Sequence, residues 1–126
     1  MTAQVSVVIP TFNRRRTLAE VLAALEAQQE APPFEILVVD DGSTDGTCEW
    51  LQQHPLRGPD HPLRPLRPVR VLRQANRGPA AARNRGVAEA AGAMVAFLGD
   101  DTVPEPGWLA AHWAVHQGRP GEVRLA

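Results

Sequence analysis

Apolar residues in this chain alternate between short continuous runs and longer stretches with helical spacing. The runs cover residues 5–9, 34–39, 69–72 and 94–98, and residues 122–126 resemble the start of another. Short, nearly continuous apolar runs are typical of strands that are covered on both faces. The pattern therefore predicts four buried strands and the beginning of a fifth.

Helical spacing fills the stretches between these runs. Four apolar side chains recur every three or four positions within residues 17–29: Leu18, Val21, Leu22 and Leu25. This period predicts a helix, and Thr17 followed by Glu20 predicts an N-terminal capping box. Further helices are predicted over 78–91 and 106–117, with a short one around Cys48 and Leu51. Proline-rich residues 54–68 predict a loop, and residues 118–121 predict a turn.

Strands that alternate with helices are typical of βαβ units. Such crossovers are right-handed and give a mostly parallel sheet with helices on both faces. The predicted fold class is therefore α/β, a three-layer α/β/α sandwich. In sheets of this kind ligands bind outside the carboxyl ends of the strands, so we expect the polar residues that follow the apolar runs to share one crevice.

Composition narrows the class of protein. A chain of 126 residues, 44% apolar and 21% charged, is a single globular domain. A net charge of −1 gives no general attraction to nucleic acid or anionic lipid, and we expect no nucleic-acid polymer as partner. No apolar run approaches the roughly 20 residues of a membrane span. The N-terminus lacks a signal-type core, so we expect a cytoplasmic protein; association with the inner face of a membrane stays open for a longer protein.

Two of the predicted strands end in paired carboxylates. Asp100 and Asp101 follow residues 94–98, and Asp40 and Asp41 follow residues 34–39. One such pair alone would indicate an ordinary acidic turn, but two at the same sheet edge favour a ligand site. Hard cations such as Mg²⁺ and Mn²⁺ bind carboxylates together with substrate phosphates. We predict Asp101 as a metal ligand and Asp100 as its partner, on the metal or on a ribose hydroxyl.

A nucleotide base would suit the neighbouring residues. The Asp41 carboxylate can accept a hydrogen bond from the N3–H of uracil, whereas the structural alternative is that Asp40 and Asp41 cap the turn at residues 43–47. We assign the capping role mainly to Asp40 and the ligand role to Asp41. Phe12 could lie against a flat base or fill a gap in the core, and the sequence favours neither.

Basic residues are harder to assign. Residues 76–86 open a helix, and a helix N-terminus attracts phosphate, which Arg77 or Arg83 could reinforce. We expect Arg85 to be solvated. The cluster at residues 14–16 precedes a helix, where cations oppose the helix dipole, and we expect it to face water rather than a diphosphate. The i,i+4 pair His112 and His116 has no carboxylate to complete a metal site, and we expect it at the surface.

Four motifs in this order resemble those of the family 2 glycosyltransferases. Residues 5–13 (VSVVIPTFN) are similar to the opening strand and turn of that family, and residues 35–45 (EILVVDDGSTD) to its second motif. Residues 76–86 are similar to its third motif, and residues 97–101 (FLGDD) to its metal-diphosphate site. The resemblance covers residues 5–117. It departs from the family pattern at Gly99, where many members have an acidic residue.

The resemblance implies a Rossmann-like GT-A fold in which residues 1–126 form the nucleotide-sugar-binding domain. It implies inverting glycosyl transfer from a nucleotide-diphospho-sugar, with UDP expected as the nucleotide, and Mn²⁺ or Mg²⁺ held by Asp100 and Asp101. The implied nucleotide-binding residues are Pro10, Thr11, Phe12, Asn13, Asp41, Arg83 and Asp100.

Family members are longer, so the resemblance places the general base and the acceptor-binding region beyond residue 126 and implies no catalytic residue within the chain. The acceptor could be a glycan, a lipid or a protein. Two alternatives stay open: a non-catalytic nucleotide-binding or assembly module, and a nucleotidyltransferase. The unfinished sheet edge could pair with a second copy of the chain to form a homo-oligomer.

Overall fold

In the part of the chain that the structure describes, five parallel strands form one central sheet. They are β1 (Val5–Thr11), β2 (Phe34–Asp40), β3 (Val69–Arg73), β4 (Met94–Phe97) and β5 (Val123–Leu125). The computed structural model describes residues 4–52, 69–116 and 123–125. The predicted loop at 54–68 and the predicted turn at 118–121 lie outside the described residues, as does Glu122 of the predicted fifth strand.

Four helices among the described residues cover both faces of this sheet. They are α1 (Arg15–Glu26), α2 (Thr47–Gln52), α3 (Pro79–Glu89) and α4 (Trp108–His116). Leu25 of α1, Leu51 of α2 and Leu109 of α4 belong to the core on one face, whereas Ala82 of α3 packs on the other. The predicted three-layer α/β/α sandwich with a parallel sheet is confirmed. None of the described helices has the length and apolar character needed to cross a membrane.

The strand order β3-β2-β1-β4-β5 places β1 in the middle of the sheet. Successive strand residues point to opposite faces, so Val7 belongs to the larger core cluster and Val8 to the smaller one, and both are fully buried. The order of strands along the chain reverses between β1 and β4. In open α/β sheets such a reversal opens a crevice at the carboxyl ends of the strands.

Helix α3 lies unusually close to β1. A Cβ atom at Gly86 would overlap with Cγ1 of Val8, so the helix can take this position only with glycine there. Gly78 precedes α3 with a φ of 95°, a conformation that glycine adopts readily. The N-terminus of α3 is therefore held beside the carboxyl ends of the central strands.

The predicted start of the first helix was wrong. Helix α1 begins at Arg15, with Arg14 in the N-cap position and no side-chain cap, and the Thr17 hydroxyl donates back to the Arg14 carbonyl oxygen at 3.2 Å. Thr17 is therefore inside the helix, and it forms no capping box with Glu20. The first two residues of α1 are arginines, so the apolar period, which begins at Leu18, did not reveal the start of the helix.

The end of α1 also came earlier than predicted, at Glu26 instead of residue 29. Gln28 turns inward and is buried. Its amide nitrogen donates to the Glu105 carbonyl oxygen at 2.7 Å, and its amide oxygen accepts from the Leu109 N–H at 2.9 Å. This side chain ties the end of α1 to the segment that leads from β4 into α4.

Candidate functional site

A cleft of about 310 Å³ opens at the carboxyl ends of β1, β2 and β4. Because these three strands are neighbours in the sheet, the turns that follow them meet at one edge. The residues that line the cleft are Pro10, Thr11, Phe12, Arg14, Asp41, Pro79 and Asp100. The structure thus brings five of the seven predicted nucleotide-binding residues together: Pro10, Thr11, Phe12, Asp41 and Asp100.

Asp41 is buried at the end of β2 and accepts three hydrogen bonds. Oδ1 accepts from Gln74 Nε2 and from the Arg77 N–H, each at 2.8 Å, and Oδ2 accepts from the Gly78 N–H at 2.9 Å. Burial raises the pKa of Asp41, but the three hydrogen bonds outweigh it and hold the pKa below its ordinary value. An ionised carboxylate has about four lone-pair positions, so about one is left for a ligand in the cleft.

Asp40, the preceding residue, has the structural role that was predicted for it. Its side chain is fully buried, and Oδ1 accepts from the Ser43 N–H at 3.0 Å, which caps the turn after β2. The two neighbouring aspartates therefore have different roles. Asp40 caps the turn that follows it, and Asp41 bonds to the segment after β3.

Asn13 links the turns after β1 and β2. Its backbone N–H donates to Ser43 Oγ at 2.9 Å, and its side-chain oxygen accepts from the Thr44 N–H at 2.8 Å. The positive φ of Asn13, 53°, turns the chain from β1 directly into α1. Asn13 is at the rim of the site, in a shallow groove with Phe12 and Asp45, and its amide oxygen is engaged by the fold.

Asp100 lies within the cleft at the end of β4. Its Oδ2 accepts from the Thr11 hydroxyl at 2.9 Å, and its side chain is 15% exposed. Burial raises the pKa of Asp100, and the negative charge of Asp101 adds to this effect. The Thr11 hydroxyl, the Arg14 guanidinium and the Phe12 N–H oppose the increase without cancelling it. This carboxylate would gain from a cationic partner.

Arg14 is exposed, as expected, but its guanidinium also approaches both carboxylates. Its Nη1 lies 3.2 Å from Oδ2 of Asp101, and its Nε lies 3.8 Å from Oδ1 of Asp100. Asp101 is 52% exposed and is not among the residues that line the cleft, but it pairs with Arg14, which does line it. Sequence reasoning missed Arg14 because its partners are almost ninety positions away in the chain.

The donor set at the end of β4 fits a hard divalent cation that shares its ligands with a phosphate. Asp100 and Asp101 supply carboxylate oxygens, and Mg²⁺ typically takes one or two carboxylates and completes its shell with water and phosphate. Across residues 4–52, 69–116 and 123–125, no three His, Cys, Asp or Glu side chains come together as a metal site.

The arginines after β3 have separate surroundings. Arg83 lines a hollow of about 340 Å³ beside the cleft, with Pro79 and Asp100. Arg77 is exposed and reaches the site through its backbone N–H. The expected solvation of Arg85 was wrong, because its Nη1 donates to the Arg73 carbonyl oxygen at 2.8 Å and braces the end of β3.

His112 and His116 lie on α4. Their rings stack with centroids 6.2 Å apart, and the rings of Trp108 and His112 form a T-shaped pair with centroids 5.4 Å apart. Both histidines were expected at the surface, but in the structure both are partly buried. They pack within the helix and are not among the residues that line the cleft.

Solved structures share this architecture. The crystal structure of S. aureus TarS 1–349 in complex with UDP-GlcNAc matches with a TM-score of 0.74 and 29% identity, over 90% of this chain and 31% of that one. The mannosyltransferase PcManGT from Pyrobaculum calidifontis, in complex with GDP-Man and Mn²⁺, matches with a TM-score of 0.64 and 27% identity, over 82% of this chain and 29% of that one. The fold is thus that of the GT-A enzymes.

Sequence relatives point the same way. Glycosyltransferase AglE of Haloferax volcanii is 34% identical over 83% of this chain and 33% of its own length. Validoxylamine A glucosyltransferase of Streptomyces hygroscopicus subsp. limoneus is 36% identical over 95% of this chain and 25% of its own length. The chain thus spans a quarter to a third of these relatives. The sequence profile of glycosyl transferase family 2 matches residues 6–121, and the chain belongs to this family.

Proposed function

We propose that this chain is the donor-binding domain of an inverting glycosyltransferase that uses a UDP-sugar together with Mn²⁺ or Mg²⁺. The observation that carries the proposal is the cleft itself, in which Phe12, Asp41 and Asp100 converge, with Asp101 next to Asp100 and paired with the cleft residue Arg14. An aromatic face and a buried acceptor suit a nucleotide base. A carboxylate pair suits a ribose hydroxyl and a metal-bound diphosphate.

The base would lie between Phe12 and Asp41. Phe12 is 43% exposed at the cleft, so its ring is available to a flat ligand rather than committed to the core. Asp41 has about one acceptor position left after its three internal hydrogen bonds, which suits the single N3–H of uracil. TarS was solved with UDP-GlcNAc and PcManGT with GDP-Man, so our choice of UDP rests on Asp41.

The diphosphate would extend from the ribose toward Asp100, Asp101 and Arg83. Asp100 and Asp101 would hold the metal, with Asp100 also within reach of a ribose hydroxyl, and Arg83 could donate charge-assisted hydrogen bonds to phosphate oxygens. A bound divalent cation neutralises charge on the departing diphosphate. Asn13 would act by fixing the turn that carries Phe12.

We assign activation and binding of the sugar acceptor to residues outside this chain, in the part that only the longer relatives have. The carboxylates at the cleft are already assigned to the donor: Asp41 to the base, and Asp100 and Asp101 to the metal or the ribose. We expect the general base and the pocket for the glycan, lipid or protein acceptor to lie outside residues 1–126. Turnover by a longer protein containing this domain would exclude a non-catalytic nucleotide-binding module.

Base selectivity tests the assignment of Asp41. Calorimetric titration with UDP and with CDP in the presence of Mn²⁺ compares two ligands that differ only in the base. The unprotonated N3 of cytosine would place a lone pair against the carboxylate, and such a mismatch costs about 1–3 kcal/mol, or roughly 5- to 150-fold in affinity. We expect UDP to bind more tightly by this factor. Equal affinities would remove Asp41 from the base site.

A further inference from the structure

Arg14 has an unusual position for a residue at the start of a helix. It approaches both carboxylates at the end of β4, with its Nη1 3.2 Å from Asp101 and its Nε 3.8 Å from Asp100. Arg14 also lines the cleft where the diphosphate is proposed to lie. A single cation therefore touches both proposed metal ligands and the proposed nucleotide site.

The pair of Arg14 with Asp101 is easily exchanged. The side chain of Arg14 is 53% exposed and that of Asp101 is 52% exposed, so water competes for both groups. Exposed pairs of this kind are weak. Arg14 can therefore leave Asp101 at little cost when a better partner is present, while Asp100, 15% exposed, keeps its hydrogen bond from the Thr11 hydroxyl.

A divalent cation bound to Asp101 would compete with Arg14. Both would occupy the space around Oδ2 of Asp101, and two positive groups at this distance repel each other. A nucleotide diphosphate changes the balance, because its oxygens suit the planar guanidinium fork. Arg14 could then exchange the two carboxylates for the diphosphate without losing an anionic partner.

We propose that Arg14 is a resident counter-ion of Asp100 and Asp101 that makes metal binding depend on the nucleotide. Without nucleotide, Arg14 neutralises the two carboxylates and keeps their affinity for the cation low. With nucleotide, Arg14 turns to the diphosphate and frees the carboxylates for the metal. This inference rests on the proposed function. By linkage, the metal must increase the affinity for the nucleotide by the same factor.

The affinity for Mn²⁺, measured with and without UDP, tests the role of Arg14 directly. Electron paramagnetic resonance reports the concentration of free Mn²⁺ in each case. Arg14→Gln removes the charge and keeps much of the length of the side chain. Arg16→Gln is the matched control, because Arg16 is an exposed neighbour in the first turn of α1 and makes no ion pair with Asp100 or Asp101. Far-UV circular dichroism and thermal unfolding would verify that each variant is folded.

We expect Arg14→Gln to bind Mn²⁺ alone about two- to tenfold more tightly than wild type, because the metal no longer displaces a cation. The enhancement of Mn²⁺ affinity by UDP should shrink by a similar factor. Arg16→Gln should keep the wild-type values. Arg14→Lys retains the charge and should stay closer to wild type than Arg14→Gln.

Two results would overturn the inference. If Arg14→Gln binds Mn²⁺ no more tightly than Arg16→Gln, while wild type binds Mn²⁺ with UDP, Arg14 is not the competing cation and the proposed function stands. If Arg14→Lys gains as much affinity as Arg14→Gln, shape rather than charge is responsible. If wild type binds no Mn²⁺ even with UDP, the proposed metal role fails, and the inference fails with it.

Discussion

The carboxylate of Asp41 holds the segment after β3 against the end of β2. Gln74, Arg77 and Gly78 all donate to it, so the site is built partly from the hydrogen bonds that close the fold. The sequence predicted that Asp41 would face the cleft, since a parallel strand delivers its last residues to that edge. It could not predict the three donors, which lie more than thirty positions away.

Replacing Asp41 should therefore destabilise the protein as well as weaken ligand binding. Asp41→Asn places an amide group against N–H donors, and we expect the free energy of unfolding at pH 7 to fall by about 1–3 kcal/mol. Urea denaturation would measure it. Glu105→Gln, at an exposed carboxylate outside the cleft lining, should have almost no effect.

The effect of Asp41→Asn should depend on pH in a defined direction. The folded-state pKa of Asp41 is lowered from its ordinary value of 3.8, so its contribution to stability is complete above 3.8 and disappears as the pH falls through the folded-state pKa. The difference between wild type and variant should be full at pH 7 and smaller below 3.8. A difference that grows on acidification would show that the hydrogen bonds favour the protonated acid.

At the scale of elements, α3 determines the shape of the cleft because Gly86 lets it lie against Val8. Gly86→Ala should lower the free energy of unfolding by about 1–3 kcal/mol, because the added Cβ overpacks against Val8. The higher helix propensity of alanine should offset up to about 1 kcal/mol of this loss. Thermal unfolding would measure the net loss. Gly107→Ala is the control, since a Cβ there meets no atom within 4 Å. If Gly86→Ala were as stable as Gly107→Ala, α3 could shift away from β1 without cost, and the close packing at Gly86 would not be required.

Two polar residues lie inside the apolar runs, and the spacing of apolar residues could not predict their role. Ser6 and Glu35 are buried at the start of β1 and β2, and the Ser6 hydroxyl donates to Glu35 Oε2 at 2.6 Å. The same oxygen accepts from the Ala91 N–H at 2.8 Å, and Ser6 Oγ accepts from the Gly92 N–H at 2.8 Å. These bonds join the end of α3 to the sheet, and the two partners are far apart in the sequence, so only the structure reveals them.

At the scale of the whole molecule, the fold class could be predicted because strands and helices alternate along the chain. The sequence also placed the carboxylate pairs at one edge of the sheet. It did not reveal that Arg14 pairs with Asp100 and Asp101, because a basic residue before a helix usually faces solvent. Contacts between distant turns, such as those of Asn13 and Gln28, likewise need the three-dimensional arrangement.

Residues 1–126 alone should bind the donor without transferring its sugar. The chain spans a quarter to a third of these two relatives, and the cleft carboxylates are assigned to the donor and its metal. Loss of a general base typically costs about 10²–10⁴-fold in rate, and loss of the acceptor pocket removes positioning as well. Radiolabelled UDP-sugars with candidate acceptors would check this in a preparation that binds UDP. Metal-dependent transfer at ordinary enzymatic rates would place the base within these residues.

The most direct test of the account is the affinity for UDP with Mn²⁺ and with EDTA, measured by calorimetry. We expect Mn²⁺ to tighten UDP binding at least about tenfold, because the cation joins the diphosphate to the carboxylates. Asp101→Asn should abolish this gain and keep the fold, and Glu105→Gln should retain it. Equal UDP affinity with Mn²⁺ and with EDTA, or a full metal effect in Asp101→Asn, would contradict the assignment of Asp101 and the central claim that this cleft binds a metal-nucleotide.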